Sequence, residues 1–401
     1  MKNLTIFSLL LFLMGCAEVK HPMPKTEMTE QSLEQRLEQL STKAIAILEE
    51  FPIDSTRIPR ALEADGSLKA TNSRQWTSGF YAGTLWDLFR FSEDKRLKEA
   101  AKKWTAFQEK EKWDTHTHDL GFKVYNSFGK GYQVEPSEHY KDVIVQASKT
   151  LIKRYQPTVG AIRSWDWNKD VWQFPVIIDN MMNLEMLFEA TRLTGDSTFH
   201  KIAYQHALTT LEHHFRADNS SYHVIDYDTL TGEVRNRHTH QGASHESAWS
   251  RGQAWGLYGF TEVYAATKDP RFLAQAKKIA QFIFNHPNLP EDLIPYWDFD
   301  APNIPDEPRD ASAAAVAASG LLELSKYDPA NRDQYLAWAD GILSTLGSPE
   351  YQSDTPPFLL EHSVGSIPGP FEVDVPIIYA DYYYVEALLK RLAIEQNAVM
   401  L

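Results

Sequence analysis

The sequence predicts an all-α fold, an (α/α)6 barrel of six inner and six outer helices, on three observations. Apolar-periodic stretches end in short polar turns and are followed at once by a second amphipathic stretch. The first member of each pair is rich in alanine, glycine and aromatic residues, and the second carries more charge. Helices that are apolar nearly all round belong inside, and those with one charged face belong outside. The long connections lead into first members, so the alternation of direction gathers them at one mouth, where loops carry function.

The helices follow in order. "SLEQRLEQLSTKAIAILEEF", residues 32–51, opens the series as an outer helix. Inner members are expected near 78–92, 119–131, 180–194, 250–267, 311–327 and 376–392, and further outer ones near 94–111, 137–155, 197–217, 270–287 and 331–347. In the turns "FSEDKRL", "LTGDSTF" and "TKDPRFL", Asp94, Asp196 and Asp269 lie just ahead of a new helix. There a carboxylate accepts from the unpaired N–H groups and favours the positive dipole end. An open helical-repeat solenoid competes with the barrel, but its repeats would be more regular in length and its loops poorer in tryptophan.

The N-terminus, "MKNLTIFSLLLFLMGCAEVK", has a lysine, an apolar run and then Gly15 and Cys16, the pattern of an export signal too short to span a membrane stably. "LMGC" resembles the lipobox of bacterial lipoproteins. We expect a signal over 1–15, a tether over 16–30 behind a lipidated Cys16, and the barrel over 31–401. The protein is then exported and membrane-anchored, in the periplasm or at the cell surface. Cys16 is the sole cysteine, so no disulfide forms within one chain. The net charge of -14 argues against nucleic acid as a partner, since phosphate neutralisation needs a surplus of Lys and Arg. An anionic ligand must be met locally, by a few basic residues.

Two aspartates carry the chemistry. Asp119 in "HTHDLGF" opens one inner segment and Asp179 in "VIIDNMMN" opens the next, which brings both carboxyls to one mouth. A helix N-cap explains either alone. For Asp179, however, the surrounding Val176, Ile177, Ile178, Met181 and Met182 imply poor solvation, and burial beside a second carboxyl raises a pKa. A general acid at neutral pH is made that way. The two are expected to share a proton and titrate as a coupled pair.

"SAWSRGQAWG" places Arg251 and Trp255 four apart on one helix face, a guanidinium for an anion beside a platform for a sugar ring. Trp76, Trp165, Trp167 and Trp172 add aromatic surface near the loops. "HTH" occurs twice, but no carboxylate or cysteine completes a metal-ligand spacing, so neither metal nor cofactor is expected. His213 and His214 read as a solvated helix end, and Asp310 in "PRDASAAAV" as a cap.

"WTSGFYAGTLW", "HDLGF", "VIIDNMMNL", "SSYHVIDYD", "THQG", "RGQAWGLYGF", "YWDFD", "RDASAAA" and "YADYYYVEALL", in order from residue 76 to 391, resemble the unsaturated glucuronyl hydrolases of glycoside hydrolase family 88. The resemblance implies an (α/α)6 barrel acting on the Δ4,5-unsaturated uronic acid that polysaccharide lyases leave at the non-reducing end of an oligosaccharide. It implies Asp179 as acid and base, Asp119 as its companion, and Trp76, His118, Trp165, His223, Gln241, Arg251 and Trp255 at the substrate. The alternatives are a family 105-type unsaturated rhamnogalacturonyl hydrolase and a surface lipoprotein that binds glycans without cleaving them.

Overall fold

The computed structural model describes residues 31–397; the expected signal, Cys16 and the expected tether lie outside them. Within them run α1 (Leu33–Glu50), α2 (Phe80–Ser92), α3 (Lys95–Ala106), α4 (Lys130–Val134), α5 (Glu138–Leu151), α6 (Glu185–Thr194), α7 (Ser197–His213), α8 (Ser250–Thr267), α9 (Pro270–Phe284), α10 (Ala311–Leu324), α11 (Arg332–Leu346) and α12 (Ile378–Glu395). Even-numbered helices are inner and odd-numbered ones outer. Every residue of α10 is buried, whereas α3 buries one face through Leu97, Ala100, Ala101, Trp104 and Thr105. Contact of α12 with both α10 and α2 closes the ring, and α1 packs outside α12 and α2. This is the (α/α)6 barrel that the periodicity predicts.

The turn chemistry acts as expected. Asp94, Asp196 and Asp269 each accept from the backbone N–H two residues on, which starts α3, α7 and α9. Two inner members depart from regular α-helix. The one expected near 119–131 begins as a π-helix, Gly121–Gly129, and the one expected near 180–194 begins as a 3-10 helix, Ile178–Asn183. The two windings meet: Phe122 N–H donates to Asn183 Oδ1 at 3.0 Å, and a Cβ on Gly121 would lie 2.8 Å from the Asn183 Cα. A loose turn and a tight turn adjust the local rise and rotation so that both segments reach the mouth, a recurring use of such irregularities at functional sites.

Among the described residues nine short strands decorate this helical frame, all in segments that enter inner helices. They are β1 (Ile58–Leu62), β2 (Leu68–Thr71), β3 (Tyr155–Gln156), β4 (Ala161–Ile162), β5 (Pro175–Ile177), β6 (Val224–Tyr227), β7 (Val234–His238), β8 (Ser363–Ser366) and β9 (Phe371–Val375). They form antiparallel ladders, β5-β6-β7 being the one of three strands. Val176 pairs with Ile225, and Ile178 N–H donates to His223 O at 3.1 Å, so the strand carrying His223 lies against the segment carrying Asp179. His214 corrects the expectation of a solvated helix end. It is fully buried, its Nε2 donates to Val176 O at 3.1 Å, and burial lowers its pKa to about 3. The neutral ring is thus a pin between α7 and β5.

The far end of the barrel is tied by one carboxylate. Glu386 of α12 accepts from Lys130 at 3.0 Å, Tyr258 at 2.8 Å and Ser319 at 2.5 Å, contributed by α4, α8 and α10. Burial opposes its ionisation, yet Lys130, Lys390 and the two hydroxyls together hold its pKa well below the usual carboxylate range. A buried charge with that many partners is satisfied rather than stranded. Among the described residues no helix is long and apolar enough to cross a membrane.

Gly259 in α8 supports the Asp179 segment directly, since a Cβ there would lie 2.4 Å from the Met181 Cβ. Relief requires moving the 178–183 backbone. Gly259→Ala is expected to destabilise the protein by about 1–3 kcal/mol in urea unfolding and to lower turnover more than one unit of overpacking elsewhere in α8.

Candidate active site

The mouth loops enclose a pocket of about 270 Å³. Of the residues singled out in the sequence, Trp76, His118, Asp119, Trp165, Asp179, Gln241 and Arg251 line it. Asp179 stands in the first turn of the 3-10 helix, between Ile177 and Ile178, which are buried, and the buried Met181. Only 8 % of the residue is exposed, and desolvation raises its pKa to about 7 against the pull of His118 and Arg251. Asp119 adds a smaller upward push. Burial in apolar surroundings, more than like charge, is therefore what keeps this carboxyl protonated.

The neighbouring imidazole has a fixed tautomer. His223 Nδ1 accepts the backbone N–H groups of His240 and Gln241, each at 3.1 Å, so the ring hydrogen resides on Nε2. Burial, helped by His240 and Arg251, holds the His223 pKa well below its ordinary value, and the ring is neutral. Its Nε2 faces Asp179 Oδ2 at 3.6 Å, too long for a hydrogen bond. Among the described residues neither atom has a hydrogen-bond partner in the protein. A donor and a carboxyl oxygen thus point into one polar gap.

Asp119 behaves differently from Asp179. Its Oδ1 lies 3.0 Å from His118 Nε2 and its Oδ2 accepts the Thr117 hydroxyl at 2.6 Å. His118 Nδ1 donates to Asn180 Oδ1, and the Asn180 amide is oriented by donating to Ile162 O at 2.7 Å. Both ring nitrogens of His118 therefore face acceptors, which suits the imidazolium. Burial opposes its charge, but Asp119, Asp179 and Asn180 raise its pKa above the ordinary value. Burial likewise opposes the Asp119 anion, and His118, Thr117 and Lys123 overcome it to hold the pKa low. This corrects the expected shared proton: Asp119 pairs with His118, and the two carboxyls are pushed apart in pKa, Asp119 adding only a small upward push at Asp179.

Three further expectations change. Trp255 is fully buried behind Phe122 and Tyr383, with ring centroids 5.3 and 5.4 Å away, so it buttresses the pocket floor and presents no face to a sugar. Asp310 is more than a cap. It accepts from Ser312 N–H at 3.0 Å and also pairs with Arg251, Nη1 to Oδ2 at 2.8 Å. Arg251 also donates to Val364 O and, at 2.8 Å, to Gly365 O, while its Nε has no hydrogen-bond partner among the described residues. Its charge acts on Asp179 across the pocket that it lines.

The second "HTH" serves the scaffold. His238 accepts from Trp172 Nε1 at 3.2 Å and stacks on His245, while His240 positions His223 through its backbone. In "YWDFD", Asp298 accepts from Ala243 N–H and Ser247, and Asp300 from Ala248 N–H, which fixes the loop before α8. Arg60, Tyr379, Glu372 and His240 also line the pocket without having been singled out. The Arg60–Glu372 pair joins β1 to β9, two segments whose proximity no local pattern signals. Because Arg251 and Asp310 are both fully buried, Arg251→Met leaves an unpaired carboxylate. We expect a stability loss of about 3–5 kcal/mol by urea denaturation alongside any loss of activity.

No family model matches the chain. A curated relative from Formosa agariphila, named unsaturated glucuronyl hydrolase, is 50 % identical over 355 residues, covering 87 % of each chain. The crystal structure of an unsaturated glucuronyl hydrolase specific for heparin superimposes with a TM-score of 0.87 at 44 % identity, over 91 % of this chain and 98 % of that one. An Asp-to-Asn mutant of the Streptococcus agalactiae enzyme, solved with dGlcA-GalNAc6S, gives a TM-score of 0.76 at 29 % identity, over 90 % and 92 %. With the barrel and this identity together, the chain is an enzyme of the glycoside hydrolase class and belongs to the unsaturated glucuronyl hydrolases.

Proposed function

We propose that the enzyme hydrates the C4=C5 bond of the terminal unsaturated uronic acid, with Asp179 as acid and then as base. The double bond is an enol ether, so its C4 takes a proton more readily than an ordinary alkene. Asp179 donates that proton and C5 becomes an oxocarbenium-like centre. Water adds to C5 and gives its proton to the newly ionised Asp179. The C5 hemiketal then opens, and the hemiacetal left at C1 expels the neighbouring sugar. No carboxylate attacks the anomeric carbon, so the separation of two carboxyls sets no inverting or retaining outcome.

The observation that carries this reading is a carboxyl held at about 7 whose free oxygen faces a neutral imidazole N–H. His223 steadies Asp179 Oδ2 once it is anionic, by a hydrogen bond direct or through water. The His118–Asp119 pair sets a fixed dipole at the pocket wall, with Asp119 as its anionic end. A protein that merely bound glycans would have no use for an acid kept protonated near neutrality. The names of the relatives support unsaturated glycosaminoglycan oligosaccharides as the substrate class.

Asp179→Asn is expected to abolish turnover, read as loss of ultraviolet absorbance by the unsaturated uronate, with the fold intact by circular dichroism. For the wild type, activity needs the protonated acid, so kcat/KM should be full below and fall above an apparent pKa of about 7. An alkaline limb lying far from that value, or activity surviving the amide, contradicts the assignment. Asp119→Asn should lower kcat strongly while leaving calorimetric binding of substrate.

We also propose lipid anchoring through Cys16, supported by "LMGC" and by its being the sole cysteine. Two signals are usually needed for stable anchoring, and a multiply acylated N-terminal cysteine meets that need. Cys16→Ser should move the protein expressed in its host from the membrane fraction to the soluble fraction; unchanged fractionation refutes the anchor.

A further inference from the structure

His206, on the outer helix α7, is fully buried and takes no part in the chemistry described so far. Its Nδ1 accepts the Ile162 N–H at 3.0 Å, so the ring hydrogen resides on Nε2, an atom with no hydrogen-bond partner among the described residues. Burial lowers its pKa to about 3, with smaller downward pushes from His214 and His118. A buried ring with an unmatched donor is costly. An apolar side chain would fill the space without that cost, so the acceptor nitrogen is the part of this residue that calls for a reason.

The Ile162 peptide leads from that nitrogen to the active site. Its carbonyl accepts the Asn180 amide at 2.7 Å, Asn180 Oδ1 accepts from His118 Nδ1, and the other His118 nitrogen faces Asp119 Oδ1 at 3.0 Å. From His118 outwards every donor points toward His206, so each bond polarises the next. The backbone carrying Ile162 is held on both sides. Thr209 of α7 donates to Gly160 O at 2.9 Å, and a Cβ on Gly160, whose φ is +74°, would lie 2.8 Å from that hydroxyl oxygen. Ser164 O accepts the His118 N–H at 3.2 Å, and Ser164 Oγ accepts the Ile177 N–H at 3.0 Å. Residues 160–164 therefore lie between α7 and the two segments that bear Asp119 and Asp179.

We propose that His206 is a positioning residue for the reaction: through the Ile162 peptide it fixes the direction of the Asn180 amide, and thereby keeps the His118 imidazole doubly protonated beside Asp119. The inference rests on the active-site reading above, in which Asp179 donates the proton. An Asn180 amide turned end for end would present its NH2 to His118 Nδ1, which then has to offer a lone pair, and the ring would be neutral. The turned amide would also set its oxygen against Ile162 O. By holding the Ile162 N–H, His206 fixes the peptide plane and keeps that carbonyl aimed at the Asn180 donor. A neutral His118 no longer pulls down on Asp179, while Asp119 still pushes up, so the acid would keep its proton to higher pH.

The test follows kcat and KM against pH for the full protein and its His206→Leu and His206→Asn variants, the asparagine oxygen standing where the imidazole Nδ1 accepts. His206→Leu should lower kcat about three- to tenfold, the worth of one ordinary hydrogen bond, and change KM by less than about twofold. Its alkaline limb of kcat/KM should move up by about half to one pH unit, because a positive charge near Asp179 is lost. His206→Asn should restore both. A drop in kcat with the limb unmoved, an equal loss in the two variants, or no loss in His206→Leu overturns the proposal. Should His206→Leu not fold, nitrogen NMR spectra of the wild type with isotope-labelled histidine decide. Just below neutral pH, His206, the signal missing from His206→Asn, should be neutral with its hydrogen on Nε2, and His118, the signal missing from His118→Gln, should be doubly protonated. A protonated His206, a hydrogen on its Nδ1, or a neutral His118 overturns the proposal. These spectra need no substrate, so they are independent of Asp179→Asn, whose full activity would overturn the proton-donor reading instead.

Discussion

The approach of two short inner segments, one beginning at Gly121 and the other ending at Asn183, constrains everything at the mouth of this barrel. Phe122 N–H bonds to the Asn183 side chain across the gap, and the absence of a Cβ at Gly121 allows the backbones to come that near. Gly259 presses on the same unit from below, against Met181. Neither segment is a regular α-helix at this point, because an unbroken 3.6-residue winding fixes rise and rotation together. Loosening one segment and tightening the other frees those two quantities. The result is two aspartates from neighbouring segments in one pocket, each with a separate set of partners.

Separation of partners produces separation of roles. Both carboxyls are deep enough for desolvation to oppose their charge. Asp119 overcomes the opposition with a charged imidazole, a hydroxyl and a nearby lysine, whereas Asp179 has a neutral imidazole beyond hydrogen-bond reach and keeps its proton. The difference originates one bond further out. Backbone amides of His240 and Gln241 fix one histidine as a single donor, and the side chain of Asn180 favours the doubly protonated form of the other. Two histidines near two aspartates thus acquire opposite charge states from their second nitrogens.

Much of this was legible in the chain. Alternating apolar and charged helical stretches gave the twelve-helix ring, and Asp94, Asp196 and Asp269 marked where outer helices begin. The β-branched and methionine neighbours of Asp179 signalled its burial correctly. Spacing failed where depth mattered: Arg251 and Trp255 share a helix face, but one helical turn separates them along the barrel axis. Arg251 meets the mouth loops, and Trp255 lies a level deeper under Phe122. Arg60 and Tyr379 escaped notice because β1 and α12 are joined to the site only by closure of the ring, which leaves no local pattern. The charge of His118 is favoured mainly by Asp119, its neighbour in the chain, but the acceptor for its other nitrogen, Asn180, lies 62 residues away, and pairwise geometry of that kind is not written in either stretch alone.

Arg251 draws its counter-ion from Asp310 and two carbonyl partners from residues 364 and 365, and α12 seals the circle only at residues 378–395. The acid lies in the first half of the polypeptide, yet part of its pocket wall, Gly365, Phe371, Glu372 and Tyr379, comes from the last tenth. The pocket is therefore complete only once the carboxy-terminal segment has closed the ring.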